Sequence, residues 1–142
     1  MDAVISIHPI FSQEIKTGRK TVEVRRRGIN LEPETKLWIY ETLPNGKIES
    51  CAVIDHIFKG TPKDIWESYS EQIGIRFDEF QEYFSGCDHG SAIVMKDVRI
   101  FNEGLSLEAI KLAGYKSIPQ TYRRLVKGDA LLKKLNDLSD SK

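Results

Sequence analysis

The run Cys51-Ala52-Val53-Ile54 contains no polar residue, so any strand that carries it must be covered on both faces. It lies inside a β-rich stretch over about 48–58, which is therefore expected to be a central strand of a sheet. Neighbours for it can be read on either side. Val4 to His8 is a short β-branched strand ended by Pro9, which suits the first turn of a helix carrying Phe11 and Ile15 on one face. Gly18 stops that helix, residues 20–27 resume as a strand, and Leu37 to Tyr40 form a third. Pro44-Asn45-Gly46 is a turn, since Asn-Gly accepts the positive φ of a tight hairpin.

The period then changes. Thr61-Pro62-Lys63-Asp64 reads as an N-cap, a first-turn proline and an acidic third position, with Ile65, Tyr69 and Ile73 continuing at helical spacing. A second short helix carries Phe77, Phe80 and Phe84 and stops at Gly86. Ser91 to Phe101 is the last long strand, followed by a helix over 106–112. Asp129 caps a terminal helix with Leu131, Leu135 and Leu138 on one stripe, and the polar tail from Ser139 is expected to fray. The class is α+β: a mixed barrel with short helices inserted between strands and helices at the C-terminal end. One domain is expected over residues 1–128, with 129–142 as its C-terminal helix and tail.

Bulk properties exclude more than they propose. Basic and acidic residues balance at 21 each, so a polyanion site must come from local clustering. No apolar run is long enough for a membrane span, and no membrane partner is expected. The start of the chain lacks the pattern of a signal peptide, and Cys51 and Cys87 match no metal or redox spacing, so a reduced, cytoplasmic protein is expected. His8, His56 and His89 have no ligand spacing either, and Cys87-Asp88-His89 is a loop triplet whose side chains diverge; no metal or cofactor is expected. The oligomeric state has no signature.

Local clustering does occur between Gly18 and Arg27. Arg19, Lys20, Arg25, Arg26 and Arg27 are basic, and the single acid Glu23 interrupts them. The period of two puts Val22 and Val24 on one face and Thr21, Glu23, Arg25 and Arg27 on the other, with Lys20 at the junction free to lean either way. Two readings are open. The strand can be a solvated face with an ordinary ion pair. Alternatively it lines a polar cleft in which Arg25 offers its planar fork to a phosphate or base edge, Glu23 orients it, and Lys20 supplies charge or a base. Gln120, Tyr122 and Arg123 form a later polar set that either caps the barrel or completes the cleft.

Ser6-Ile7-His8-Pro9, the short helix and then Gly18-x-Lys20-x-x-Glu23-x-Arg25 resemble the ASCH domain family and its GxKxxExR signature. Glu82-Tyr83-Phe84-Ser85-Gly86, Gly90 to Met95 and Ile118 to Tyr122 look like later blocks of the same family. The resemblance implies a PUA-like barrel whose cleft binds RNA or a nucleotide-like ligand through Lys20, Thr21, Glu23, Arg25, Arg27, Gln120 and Tyr122. It also implies two alternatives. One is a small hydrolase, either a ribonuclease or a modified-nucleoside amidohydrolase, with Lys20 and Glu23 as the catalytic pair. The other is a protein-interaction module in transcription regulation. Amidohydrolases of this type match at Gly18, Lys20 and Arg25 but carry a threonine where this chain has Glu23, and use a separate glutamate, for which Glu71 is the nearest candidate here.

Overall fold

In a computed structural model, which describes residues 1–140, the apolar run sits in β4 (Lys47–Gly60), between β3 (Lys36–Glu41) and β5 (Gly90–Ser106). Its residues alternate between two cores, Cys51 turning outward while Ala52 and Ile54 turn inward, so both faces are covered. Six strands form one bent sheet in the order β2 (Val22–Arg25), β5, β4, β3, β1 (Asp2–Ile7), β6 (Tyr122–Leu125). Only β1 and β3 run parallel; their connection contains α1 (Pro9–Thr17) and β2, which crosses to the far edge of the sheet. The expected α+β class is present, and the barrel is a half-barrel. Among the described residues no ladder joins the edge strands β2 and β6.

Three apolar layers follow from the period of two. Ala3, Ile5 and Ile7 meet Leu37, Ile39, Ile54 and Ile93 in the interior, sealed at one end by Ile15 of α1. On one outer face, Val4 and Trp38 pack against Ile110 of α4 (Leu107–Leu112) and Leu131 and Leu135 of α5 (Ala130–Asp140). On the other, Val22, Val24 and Ala92 pack against Ile65 of α2 (Pro62–Tyr69) and Phe80 of α3 (Phe77–Tyr83). Caps fall where their chemistry requires. Thr61 Oγ1 accepts from Asp64 N at 3.1 Å, Ser106 Oγ accepts from Ala109 N at 3.2 Å, and Asp129 Oδ1 accepts from Leu131 N at 2.9 Å.

Several expectations need correction. β2 is four residues long rather than eight, because the chain leaves the sheet after Arg25. Ile73 does not continue α2; it is buried in the loop that follows, ahead of Gly74 at φ 77°. β6 had no clear signal, since Arg123 and Arg124 break the apolar alternation and only β1 pairs with it. Ser139 is helical and buried, bonded to Arg99 through both its hydroxyl and its carbonyl at 3.2 Å. The rest of the expected tail, residues 141–142, lies outside the described residues.

α1 is docked by a polar network that hydrophobic patterning does not announce. Ser12 and Lys16, one turn apart, face Glu41 at the end of β3. Lys16 Nζ lies 2.5 Å from Glu41 Oε2 and also pairs with Glu49. Ser12 Oγ and Asn45 Nδ2 donate to Glu41 at 2.7 and 2.9 Å. Burial opposes both charges, but the paired bonds prevail, so the Glu41 carboxyl is held below its usual range and the Lys16 ammonium above its own. Removing one member strands the other in a dry site. Glu41→Ala should therefore lower stability by about 3 kcal/mol in urea unfolding. The depressed carboxyl contributes above its unfolded value, so the wild type should lose this advantage as pH falls below about 4. The raised ammonium loses its share only as pH climbs above about 10. The gap between the two proteins should narrow at both ends.

Candidate functional site

Gly18 ends α1 in the left-handed conformation at φ 84°, and the chain turns at once so that Lys20 N donates back to Glu14 O at 3.1 Å. The loop after α2 then grips the next residues: Gln72 O accepts from Thr21 N at 3.0 Å and from Val22 N at 3.1 Å. This settles the direction of Lys20, which is only 2% exposed. Its stem runs beneath Gly74, and its Nζ donates to Ile73 O at 2.5 Å, lies 3.3 Å from Glu23 Oε1, and sits 5.3 Å from the centre of the Phe11 ring.

β2 delivers the rest. With Val22 and Val24 committed to the outer core, Glu23 and Arg25 must point to the inner face. Glu23 Oε2 accepts from Arg25 Nε at 2.9 Å, and Arg25 Nη2 donates to Ser6 O of β1 at 2.8 Å. Ser6 is itself fixed, its Oγ donating to Pro119 O at 2.6 Å and its N to Thr121 O at 3.3 Å. Tyr83 of α3 closes the wall by donating to Val24 O at 3.3 Å. Burial pushes its phenol up, against the pull of Arg25, so it stays a donor.

The result is a cleft of about 380 Å³ in the seam of the half-barrel, with Lys20, Glu23 and Arg25 on its floor and His8, Phe11, Glu79 and Tyr83 around it. Two cations share one carboxylate, so the floor carries a net positive charge in a neutral chain. The His8 ring accepts from Ile10 N at Nδ1 (3.2 Å), a tautomer that carries its proton on Nε2 and can donate it. A second opening of about 580 Å³ adjoins the first through Arg25 and Tyr83. Arg27 and Gln120 line that one, together with Arg26 and Thr121.

The expected residues thus divide. Lys20, Glu23 and Arg25 come together in the cleft, and Arg27 and Gln120 border its extension. Thr21 and Tyr122 line neither: Thr21 is tied into backbone pairing, and Tyr122 packs against the interior with its hydroxyl accepting from Asn30 N at 3.1 Å. Glu71 is exposed beside the Gln72 loop, and the acid at the cleft wall is Glu79. His8 and Tyr83 were within reach of the sequence, since both lie in blocks that resemble the ASCH family. The Ile73 carbonyl and the Gly74 approach had no signal, being backbone features of a loop. Among the described residues, no three His, Cys, Asp or Glu side chains gather as a metal ion would need.

Comparison with known proteins places this geometry. A family model described as "Domain of unknown function (DUF365)" matches residues 3–128. A Zymomonas mobilis protein named "ASCH domain-containing ribonuclease" is 31% identical over 96 residues, which are 68% of this chain and 65% of that protein. The match thus spans just under two-thirds of the relative's length. The crystal structure of ASCH from Zymomonas mobilis superposes with a TM-score of 0.89 at 28% identity, over 96% of this chain and 94% of that one. A single-substitution variant of the same protein matches with a TM-score of 0.89 at 28% identity, over 96% and 97%.

The Lys20 seat can be tested through its glycine. A Cβ at Gly74 would lie 3.1 Å from Lys20 Cβ, whereas one at Gly86, which has a similar φ of 80°, would meet nothing within 4 Å. Gly86→Ala should cost only the left-handed backbone penalty of about 1–2 kcal/mol. Gly74→Ala should cost measurably more in the same urea titration, because the lysine stem must move as well.

Proposed function

This chain belongs to the DUF365 family and has an ASCH-domain fold, and from that premise we propose that it binds single-stranded RNA in the seam cleft and cleaves its backbone. The observation that carries the reading is the floor of the cleft. Arg25 is held by Glu23 and Ser6 O, and Lys20 stands on the other side of the same carboxylate. A guanidinium fixed in this way is pre-organised for a phosphate, and a volume of about 380 Å³ suits one nucleotide-sized group. A base can enter such a cleft only if it is splayed out of a helix, which favours single strands. The 31% identical relative bears the name of a ribonuclease.

The chemistry follows from the groups present. Attack of a ribose 2′-hydroxyl on the neighbouring phosphorus builds negative charge on the phosphoryl oxygens, which Arg25 and Lys20 stabilise. The departing 5′-oxygen can receive a hydrogen bond from the His8 Nε2–H at the cleft wall and take its proton from water. Glu79 is the carboxylate available to receive the proton of the attacking hydroxyl. Glu23, which accepts from Arg25 and is ion-paired with Lys20, orients them. Deacylation of a modified nucleoside fits less well. Glu23 stands where that chemistry has a threonine, and the hydroxyls lining the cleft, those of Ser6 and Tyr83, are both spent on backbone carbonyls.

The test is a labelled single-stranded oligoribonucleotide, followed by anisotropy for binding and by gel for cleavage. Arg25→Glu should abolish both. Lys20→Met, which keeps the buried stem, should bind within a few-fold of wild type yet cleave about 10²–10³-fold more slowly. His8→Ala should cleave about 10²-fold more slowly, while losing only about 1 kcal/mol of stability with the α1 cap. Binding by Arg25→Glu with unaltered affinity and salt slope would sink the reading. Tight binding without cleavage by wild type would reduce it to a binding module, and turnover of an acylated cytidine in place of RNA would replace it with the amidohydrolase.

A further inference from the structure

Beyond the cleft, the second opening has a composition that the chain as a whole does not share. Arg25, Arg26 and Arg27 line it in succession, with Tyr83, Cys87, Gln120 and Thr121, and no carboxylate is among the lining residues. Arg27 alone among the described arginines has no side-chain partner. The others are occupied: Arg19 and Arg76 by acids, Arg25 by Glu23, Arg26 by the face of Tyr83 (5.3 Å), Arg99 by Ser139, Arg123 by the face of Tyr115, and Arg124 by Asn30 O. With Arg25 paired to Glu23, Arg26 and Arg27 are the two adjacent guanidinia without an acid, and their mutual repulsion is a cost that a bound polyanion removes. The same Tyr83 that walls the cleft supports Arg26, so the strip and the cleft are held by one side chain.

We propose that Arg26 and Arg27, flanked by Tyr83 and Gln120, form a second phosphate subsite continuous with the cleft, which makes the ligand a strand of several nucleotides rather than a mono- or dinucleotide. This rests on the RNA reading of the cleft. A nucleotide seated over Arg25 has its next phosphates directed onto the strip, because the two openings share Arg25 and Tyr83. Cys87 lines the strip and also borders the neighbouring groove lined by Trp66 and Phe77. It is half-buried while the other cysteine, Cys51, is fully buried, so it can report the passage of a strand.

The experiment compares a single-stranded RNA octamer with a dinucleotide on the full chain. Arg26→Glu/Arg27→Glu is set against Lys133→Glu/Lys134→Glu, which makes the same charge change on the exposed side of α5. In wild type the octamer should bind at least tenfold tighter than the dinucleotide and should slow alkylation of Cys87, which the dinucleotide should not. The arginine pair should reduce the octamer-to-dinucleotide preference about tenfold and lower the salt slope of octamer binding by about 1–1.5. The lysine pair should do neither. A preference that survives the arginine pair, or that falls equally with the lysine pair, overturns the subsite while leaving the cleft reading intact. Failure of wild type to bind either RNA overturns the cleft reading and the subsite together.

Discussion

The reach of Arg25 from β2 to the Ser6 carbonyl is the contact on which the polar architecture of the seam depends. The sheet bends until its two edges, β2 and β6, approach, but among the described residues they are not joined by a backbone ladder. What spans the gap is a guanidinium held by Glu23, backed by the Ser6 hydroxyl on Pro119 and the Ser6 amide on Thr121. The seam is therefore both the weak point of the barrel and the place where polar groups can be buried without leaving donors or acceptors orphaned. A site located there needs no separate scaffold, because the residues that close the fold are those that would meet a ligand.

The approach of Lys20 depends on a second polar device at the other side of α1. Lys16 and Ser12 dock the helix on Glu41, and the helix then ends at Gly18 with its last turn aimed at the seam. A buried ion pair adds little net stability compared with apolar packing, yet it tolerates few alternative geometries. Ile15 would allow the helix to slide or roll on the barrel end, whereas the Lys16–Glu41–Ser12 bonds fix one pose. The distance from that anchor to Lys20 is one turn of helix and a tight reversal, so the error transmitted to Nζ is small.

Much of the framework was legible because it rests on local chemistry. The apolar run at 51–54, the caps at Thr61 and Asp129, and the glycine stop at 18 each has one physical explanation, and the structure contains them all. The inward turn of Glu23 and Arg25 was legible too, since Val22 and Val24 had to face the other way. The misses have causes. β6 is a four-residue edge strand whose partner fixes it, so its arginines hide the alternation. Ile73 has helical spacing from Tyr69, but Gly74 needs a left-handed φ to let the loop fall over Lys20, and tertiary packing overrides the period. The burial of Lys20 itself could not be read, because the group that receives it is a backbone carbonyl 53 residues away.

The crossing of β2 to the far edge has a consequence for how the chain assembles. β3, β4 and β5 pair with sequence neighbours, but Val22 pairs with Val94 and Arg25 with Ser91, contacts that close long loops. Loop-closure entropy penalises such pairings until the local ladder exists to receive them. The seam is thus the part of the molecule whose formation reports completion of the fold, and a chain that has not finished folding presents its arginines without the cleft that would give them a use.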